Sequence, residues 1–164
     1  MSWRELLEFL AQNWGDLAGA LGFVASVATL GVATKARQAA EAARAVARRQ
    51  GLTEVLQDAI RRNEQVGLFL SRRRWDIVWL RAQEIAGATS AVLTRWPREL
   101  DAGSRGNLLR SQHLSNSIAS GALMASGEVP APQAIMGMSW AQGKVSQLLN
   151  LELGQSLRRG EGGT

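Results

Sequence analysis

Residues Leu17–Thr34 read LAGALGFVASVATLGVAT, a run of 18 residues without a charge. As a helix it would extend about 27 Å, close to the thickness of the hydrocarbon core of a bilayer. Asp16 precedes it and Lys35 follows it, so charges limit the apolar run on both sides. The stretch therefore predicts a transmembrane helix. The alternative is a helix buried in a soluble bundle, since alanine and glycine supply much of its composition.

The charges on either side of this stretch predict its orientation. The residues before it carry one arginine against three acidic groups, whereas the following residues are mainly basic, including Lys35, Arg37 and Arg44. Cytoplasmic segments of membrane proteins carry an excess of Lys and Arg. We therefore expect a protein of the bacterial inner membrane that crosses the lipid bilayer once, with the N-terminus outside and the C-terminus in the cytoplasm.

A stripe of small residues follows one side of the predicted helix and continues beyond it. Its members lie at alternating intervals of four and three residues and form what we call the seam: Gly15, Gly19, Gly22, Ser26, Thr29, Ala33, Ala36 and Ala40. Small side chains at this spacing let a second helix approach closely, so the seam predicts a homo-oligomer. The alternative is coincidence, because an alanine-rich helix presents small residues on most of its faces.

The remainder of the chain has helical periodicity and no lasting strand alternation, so the predicted fold class is all-α. We expect four segments: a short amphipathic segment over 1–13, a transmembrane helix continuing into an Ala-rich stalk over 14–50, a small helical cytosolic bundle over 51–157, and a flexible tail over 158–164.

Glycine and proline predict the boundaries of the helices. Gly51 is expected to end the stalk, and Thr53 to cap the helix that follows. A later helix should stop before Pro97, because the residue that precedes a proline disfavours the α conformation. The two last helices are expected over about 107–125 and from about Gln133 to Leu157.

Composition excludes several kinds of chemistry. The chain of 164 residues has no cysteine and a single histidine, His113, which we expect to be structural. Thiol catalysis, disulfides and the usual multi-histidine metal sites are therefore excluded. Common motifs of hydrolases and of nucleotide-binding enzymes are also missing from the sequence. We expect no enzyme activity, no catalytic residue, no bound metal and no cofactor.

The net charge of +5, with 17 arginines against two lysines, suits anionic partners, although a GC-rich genome would give the same bias. The first candidate site is Arg72-Arg73-Arg74 together with Trp75 and Trp79. Guanidinium groups and indole rings on one short surface could bind a phosphate and stack a base, as in a nucleotide site. The competing interpretation is a solvated basic turn whose tryptophans pack in the core.

The second candidate site is the glycine-rich segment Gly103–Asn107 with Arg105 and Arg110. If a helix begins here, its unpaired backbone N–H groups and its dipole would attract an anion, and the two arginines would assist. The segment matches no complete phosphate-binding loop, so a plain linker is the competing interpretation.

The order of segments also supports a resemblance. The run from Trp14 to Phe23, followed by Lys35-Ala36-Arg37-Gln38-Ala39-Ala40-Glu41, resembles the anchor and stalk of small single-span bacterial membrane proteins with a helical cytosolic domain. Some of these serve in antiphage defence, among them membrane effectors of type III CRISPR systems that respond to cyclic oligoadenylate. The resemblance implies an oligomeric span controlled by a nucleotide second messenger or a protein partner.

Two other classes remain open on the sequence alone. A non-catalytic membrane scaffold or adaptor would use the same helices to recruit partners and would bind no small ligand. A soluble, basic, helical nucleic-acid-binding protein would bind DNA or RNA with a strong dependence on salt.

Overall fold

The computed structural model describes residues 3–127 and 129–161, with the side chains of 5–7, 9–18, 20, 21, 24 and 159–161 left out. In these ranges the chain forms helices and no strand, which confirms the predicted all-α class. The helices are α1 (Trp3–Ser71), α2 (Trp75–Arg95), α3 (Ala102–Ala125) and α4 (Pro132–Glu161). The chain divides into two compact units, one up to Ala45 and one from Val46 onward.

The second unit is an antiparallel four-helix bundle. The hydroxyls of Thr53 and Ser156 lie 3.2 Å apart, and the Asn63 amide donates to the Gln142 carbonyl over 3.1 Å. Residue numbers therefore rise along α1 while they fall along α4. An ion pair from Arg62 to Glu84 links α1 to α2. Short connections between consecutive helices give the up-down-up-down topology that is common in such bundles.

The centre of the bundle is filled by apolar side chains from all four helices. The largest of those that are fully buried are Leu56, Val66, Val78, Ile85, Val92, Leu108, Ile118, Val145 and Leu149. The buried face of α3 also includes the small residues Ser104, Ser111, Ser115, Ala119 and Ala122. Since short side chains let helix backbones approach, α3 packs closely against its neighbours.

The predicted break at Gly51 is wrong, because α1 continues through this residue without interruption. A Cβ atom at position 51 would lie 3.3 Å from Cζ2 of Trp96, which is tighter than most real contacts. The glycine therefore makes room for the indole ring that ends the neighbouring helix. Its role is close packing inside a helix, a use that sequence alone does not separate from helix termination.

The start of the third helix also differs from the prediction. α3 begins at Ala102 instead of about residue 107, because Asp101 caps its N-terminus and its carboxylate accepts a hydrogen bond from the Ser104 N–H over 2.7 Å. Gly103 and Gly106 consequently lie within the first turns of a helix. A good cap offsets the weak helix preference of two glycines.

Removing this cap should weaken the bundle. We expect Asp101→Ala to lower the free energy of unfolding by about 1 kcal/mol, because the Ser104 N–H loses its acceptor. The measurement is urea unfolding of the full chain followed by far-UV circular dichroism. Asp101→Asn, which keeps an accepting side-chain oxygen, is the matched control and should retain most of the stability. Equal losses for the two variants would contradict the capping role.

An ion-pair network ties α1 to α2. Arg62 lies 2.6 Å from Asp58 and 2.9 Å from Glu84, and Glu84 also lies 2.7 Å from Arg81. Burial opposes the charged form of Arg62, but the hydrogen bond and charge of Asp58, with the charge of Glu84, outweigh it and raise the pKa of Arg62. Arg62 and Arg81 therefore both form ion pairs with carboxylates inside the bundle.

The predicted membrane span and the predicted flexible tail lie near the two ends of the chain. Among the residues that the structure describes, none of the helices offers a stretch both long and apolar enough to cross a bilayer. Part of the predicted span lies outside the described side chains, namely residues 17, 18, 20, 21 and 24. At the other end, α4 reaches Glu161, so the first residues of the predicted flexible tail are helical and the rest of the tail lies outside the described residues.

Candidate functional site

The candidate site is a groove of about 1010 Å³ between the outer edges of α3 and α4, which we call the α3–α4 groove. About one and a half turns of α3 and five turns of α4 contribute to it. The two helices pack antiparallel, and the Asn107 amide donates to the buried Glu152 carboxylate over 2.8 Å. Its lining consists of Leu109, Arg110, His113, Leu114, Trp140, Lys144, Gln147, Leu148, Asn150, Leu151, Gly154 and Arg158.

Large apolar side chains stay exposed along this groove. Trp140 is 62% exposed, and Leu109 and Leu151 are also accessible to solvent. They lie beside the core positions of the same helices, and on α4 Trp140 and Leu151 form a second apolar stripe besides the one that faces the bundle. A surface where several such side chains lie together is typical of a binding site.

The charge of the groove is entirely positive. Arg110, Lys144 and Arg158 line it, and no carboxylate is among its lining residues. The Lys144 ammonium donates to the Gln147 side chain over 3.2 Å, and Arg158 Nε donates to the Gly154 carbonyl over 3.4 Å. None of the ion pairs that the structure describes includes these three cations. The groove therefore favours an anionic ligand with apolar parts.

The sequence-predicted site at Arg72-Arg73-Arg74 is a tight turn between α1 and α2, at the other end of the bundle from Arg105. The Arg74 guanidinium lies 3.2 Å from the Asp76 carboxylate, and its hydrogen bonds lower the pKa of Asp76. Trp75 packs against the core and is half-buried, whereas Trp79 is exposed. All three arginines are exposed, and the described ion pairs include only Arg74, so the turn and the start of α2 offer two arginines without such a pair and the exposed indole of Trp79.

The backbone of this turn explains its shape. Arg73 has a φ of 54°, in the left-handed region, while the Arg74 N–H bonds to the Phe69 carbonyl and the Arg73 N–H bonds to the Leu70 carbonyl. This is the Schellman pattern of helix ends, whose left-handed position glycine normally occupies.

Glycine at this position should stabilise the protein. We expect Arg73→Gly to raise the free energy of unfolding by about 1 kcal/mol, because glycine adopts the left-handed conformation without the steric cost that a Cβ atom imposes. The measurement is urea unfolding of the full chain. Arg72→Gly removes the same charge where no left-handed conformation is required and should not stabilise. A gain of the same size in both variants would show that charge, not conformation, is the cause.

The residues of the second predicted site do not form one site in the structure. The Arg105 guanidinium donates to the Pro97 carbonyl, which fastens the connection between α2 and α3. The Asp101 carboxylate already accepts a hydrogen bond from the Ser104 backbone N–H at the helix N-terminus, where an external anion would bind. Arg110 lies one to two turns further along and lines the α3–α4 groove. Anion binding by Arg105 stays a prediction, and Arg110 belongs to the groove.

The described part of the seam lies in the first unit, where its side chains are exposed, and Gly15 falls outside the described side chains. A Cβ atom at Gly19 or Gly22 would meet no other atom within 4 Å. The Ser26 and Thr29 hydroxyls each donate over 2.7 Å to the carbonyl four residues earlier. Phe23, Val27, Leu30 and Val32 are exposed on the same helix. This segment therefore presents apolar and small surfaces with its hydroxyls already bonded.

Comparison with known proteins found no matching family model, no similar curated protein and no similar solved structure. Within the described ranges, no group of three or more His, Cys, Asp or Glu side chains is placed to hold a metal ion.

Most groove residues were not predicted from the sequence. Arg110 is the one lining residue that was expected to bind a ligand, and His113, which we expected to be structural, is exposed and lines the groove. One signal could have found it: Trp140, Lys144 and Leu151 follow a helical stripe of α4 next to the core positions Met138, Val145 and Leu149. A helix with apolar residues on two adjacent faces has more apolar surface than one core can cover.

Proposed function

We propose that the protein is a non-catalytic binding protein whose bundle takes up an anionic ligand in the α3–α4 groove, and whose N-terminal helix anchors it to a membrane and joins it to further copies. The observation that carries the proposal is the groove itself, an exposed apolar surface bordered by Arg110, Lys144 and Arg158 without an opposing carboxylate. Elsewhere in the bundle, arginines such as Arg62 and Arg81 contact carboxylates. Cations that lack such contacts on an apolar surface suit an incoming negative charge.

Membrane anchoring is supported by the N-terminal unit. The uncharged stretch Leu17–Thr34 has the length of a span, and its described apolar side chains are exposed, Phe23 to 70%. The hydroxyls of Ser26 and Thr29 are bonded within their own helix, which lowers the cost of surrounding them with lipid. The seam would then pack copies together. In the antiphage effectors that the layout resembles, such a span would respond to ligand binding.

Ligand binding is tested on the full chain in nanodiscs of neutral lipid, with three labelled anionic probes: a cyclic oligoadenylate, a single-chain alkyl phosphate and an acidic amphipathic peptide. We expect at least one probe to bind and to lose tenfold or more in affinity in Arg110→Glu/Lys144→Glu, because the probe then meets like charge. Arg95→Glu/Arg98→Glu, with the same change of net charge away from the groove, is the control. If both pairs weaken binding equally, the groove is not the site.

The competing location for a nucleotide is the turn that contains Arg72, Arg73 and Arg74. Reversing these three charges should leave groove binding unchanged under our proposal. A loss of cyclic oligoadenylate affinity in this variant, with none in the groove variant, would place the site at the turn instead.

Anchoring is tested separately by carbonate extraction of bacterial membranes that contain the full chain. We expect the protein to stay in the membrane pellet and Ala25→Arg to release it in part, because a charge in the middle of a span costs about 3 kcal/mol. Ala40→Arg places the same charge beyond the predicted span and should leave the protein in the pellet. Recovery of the unaltered protein in the carbonate supernatant would contradict anchoring.

A further inference from the structure

We infer that the ligand of the α3–α4 groove is an acidic amphipathic helix of a partner protein. The inference rests on the proposed binding function and specifies its partner. It is carried by the order in which charged and apolar side chains follow one another along the groove, together with the groove's length. Both features distinguish an elongated ligand with several negative charges from a compact ligand with one.

The contacts between α3 and α4 fix this order. Ser104 bonds to Gln155, and a Cβ atom at Gly121 would lie 3.0 Å from Sδ of Met138, so each step up α3 is a step down α4. Lys144 consequently lies at nearly the same height as His113. Arg110 is about one turn below them, and Arg158 is about 21 Å from Lys144 along α4.

Apolar side chains alternate with these cations. Trp140 lies above Lys144, and Leu148 and Leu151 lie between Lys144 and Arg158 on the same helix. From Trp140 to Arg158 the groove follows α4 for about 27 Å, the length of about 18 helical residues. An amphipathic helix whose apolar stripe is flanked by acidic side chains has the same spacing: its apolar residues would face the apolar side chains of the groove, and its carboxylates would face the cations.

Other anionic ligands fit this arrangement less well. A single-chain lipid has one charged head and needs its cations together at one end of an apolar channel, whereas these cations are about 21 Å apart at their extremes. A single-stranded nucleic acid binds by stacking successive bases on aromatic rings. Among the lining residues Trp140 and His113 alone carry aromatic rings, too few for a run of stacked bases, and the apolar others are leucines, apart from Gly154.

The test uses the full chain in nanodiscs of neutral lipid and a designed peptide of about 18 residues. The peptide has leucine at helical spacings of three and four and glutamate on both flanks. We expect it to bind at least tenfold more tightly than a scrambled peptide of the same composition. Arg110→Glu/Lys144→Glu should abolish this preference, and a second peptide with lysine in place of glutamate should bind that variant better than it binds the unaltered protein.

The outcomes separate this inference from the proposed function. Equal affinity for designed and scrambled peptides would overturn it, because charge alone would then explain binding. Tighter binding of the alkyl phosphate or the cyclic oligoadenylate at the same groove would also overturn this inference. In that case the proposed binding function would still hold, with another ligand. If no probe responds to the groove substitutions, both fail. If the lysine peptide binds the charge-reversed variant more tightly than it binds the unaltered protein, the inference is supported and the variant is shown to be folded.

Discussion

Leu149→Ala is expected to lower the free energy of unfolding by about 2–5 kcal/mol, among the largest effects of any single replacement in this chain. The Leu149 side chain has no exposed surface and lies in the hydrophobic core with Leu56 and Val145. Truncation removes apolar contacts and leaves a cavity that the four surrounding helices close only in part. The measurement is equilibrium urea unfolding of the full chain, followed by tryptophan fluorescence.

Leu151→Ala is the matched control, because it makes the same truncation two residues later on the same helix. Leu151 is 46% exposed and lines the α3–α4 groove. Its loss should change the free energy of unfolding by no more than about 0.5 kcal/mol. It should, however, weaken peptide binding to the groove. A destabilisation by Leu151→Ala as large as that of Leu149→Ala would mean that α4 turns another face to the core.

Local sequence signals predicted much of the fold. The helical spacing of Leu52, Leu56, Ala59 and Val66 places them on one face of a helix, and all four are buried in the core. Pro97 was expected to end a helix, and α2 ends at Arg95 just before it. These features depend on residues within a few turns of one another, so periodicity and backbone chemistry are sufficient to predict them.

The errors concern glycines that were expected to end or precede a helix. Gly51 lies inside a helix because the ring of Trp96 approaches it, and Gly103 lies inside a helix because Asp101 caps the first turn. The sequence shows each glycine, but the partner of Gly51 comes from another helix. The groove was missed for the same reason, since Arg110 and Lys144 come from two helices whose pairing only the bundle defines.

Asn107→Ala is expected to lower the free energy of unfolding by about 2–3 kcal/mol, although it removes only a half-buried polar side chain. Glu152 is 3% exposed, and the Asn107 amide donates to its carboxylate over 2.8 Å. A hydrogen bond to a charged group contributes more than one between neutral groups, and its loss leaves a buried charge without its donor. Asn150→Ala is the matched control, since that exposed amide bonds to the Ser146 carbonyl of its own helix and should cost little.

A second replacement identifies the cause of this loss. If the cost of Asn107→Ala arises from the buried carboxylate, then adding Glu152→Met should recover part of the stability, because an apolar side chain of similar length needs no donor. The free energies of unfolding of the two single variants and the double variant, measured in urea, form a double-mutant cycle. Strictly additive losses would show that Asn107 stabilises α3 independently of Glu152. Recovery in the double variant would show that this one hydrogen bond allows the α3–α4 interface to hold a buried carboxylate.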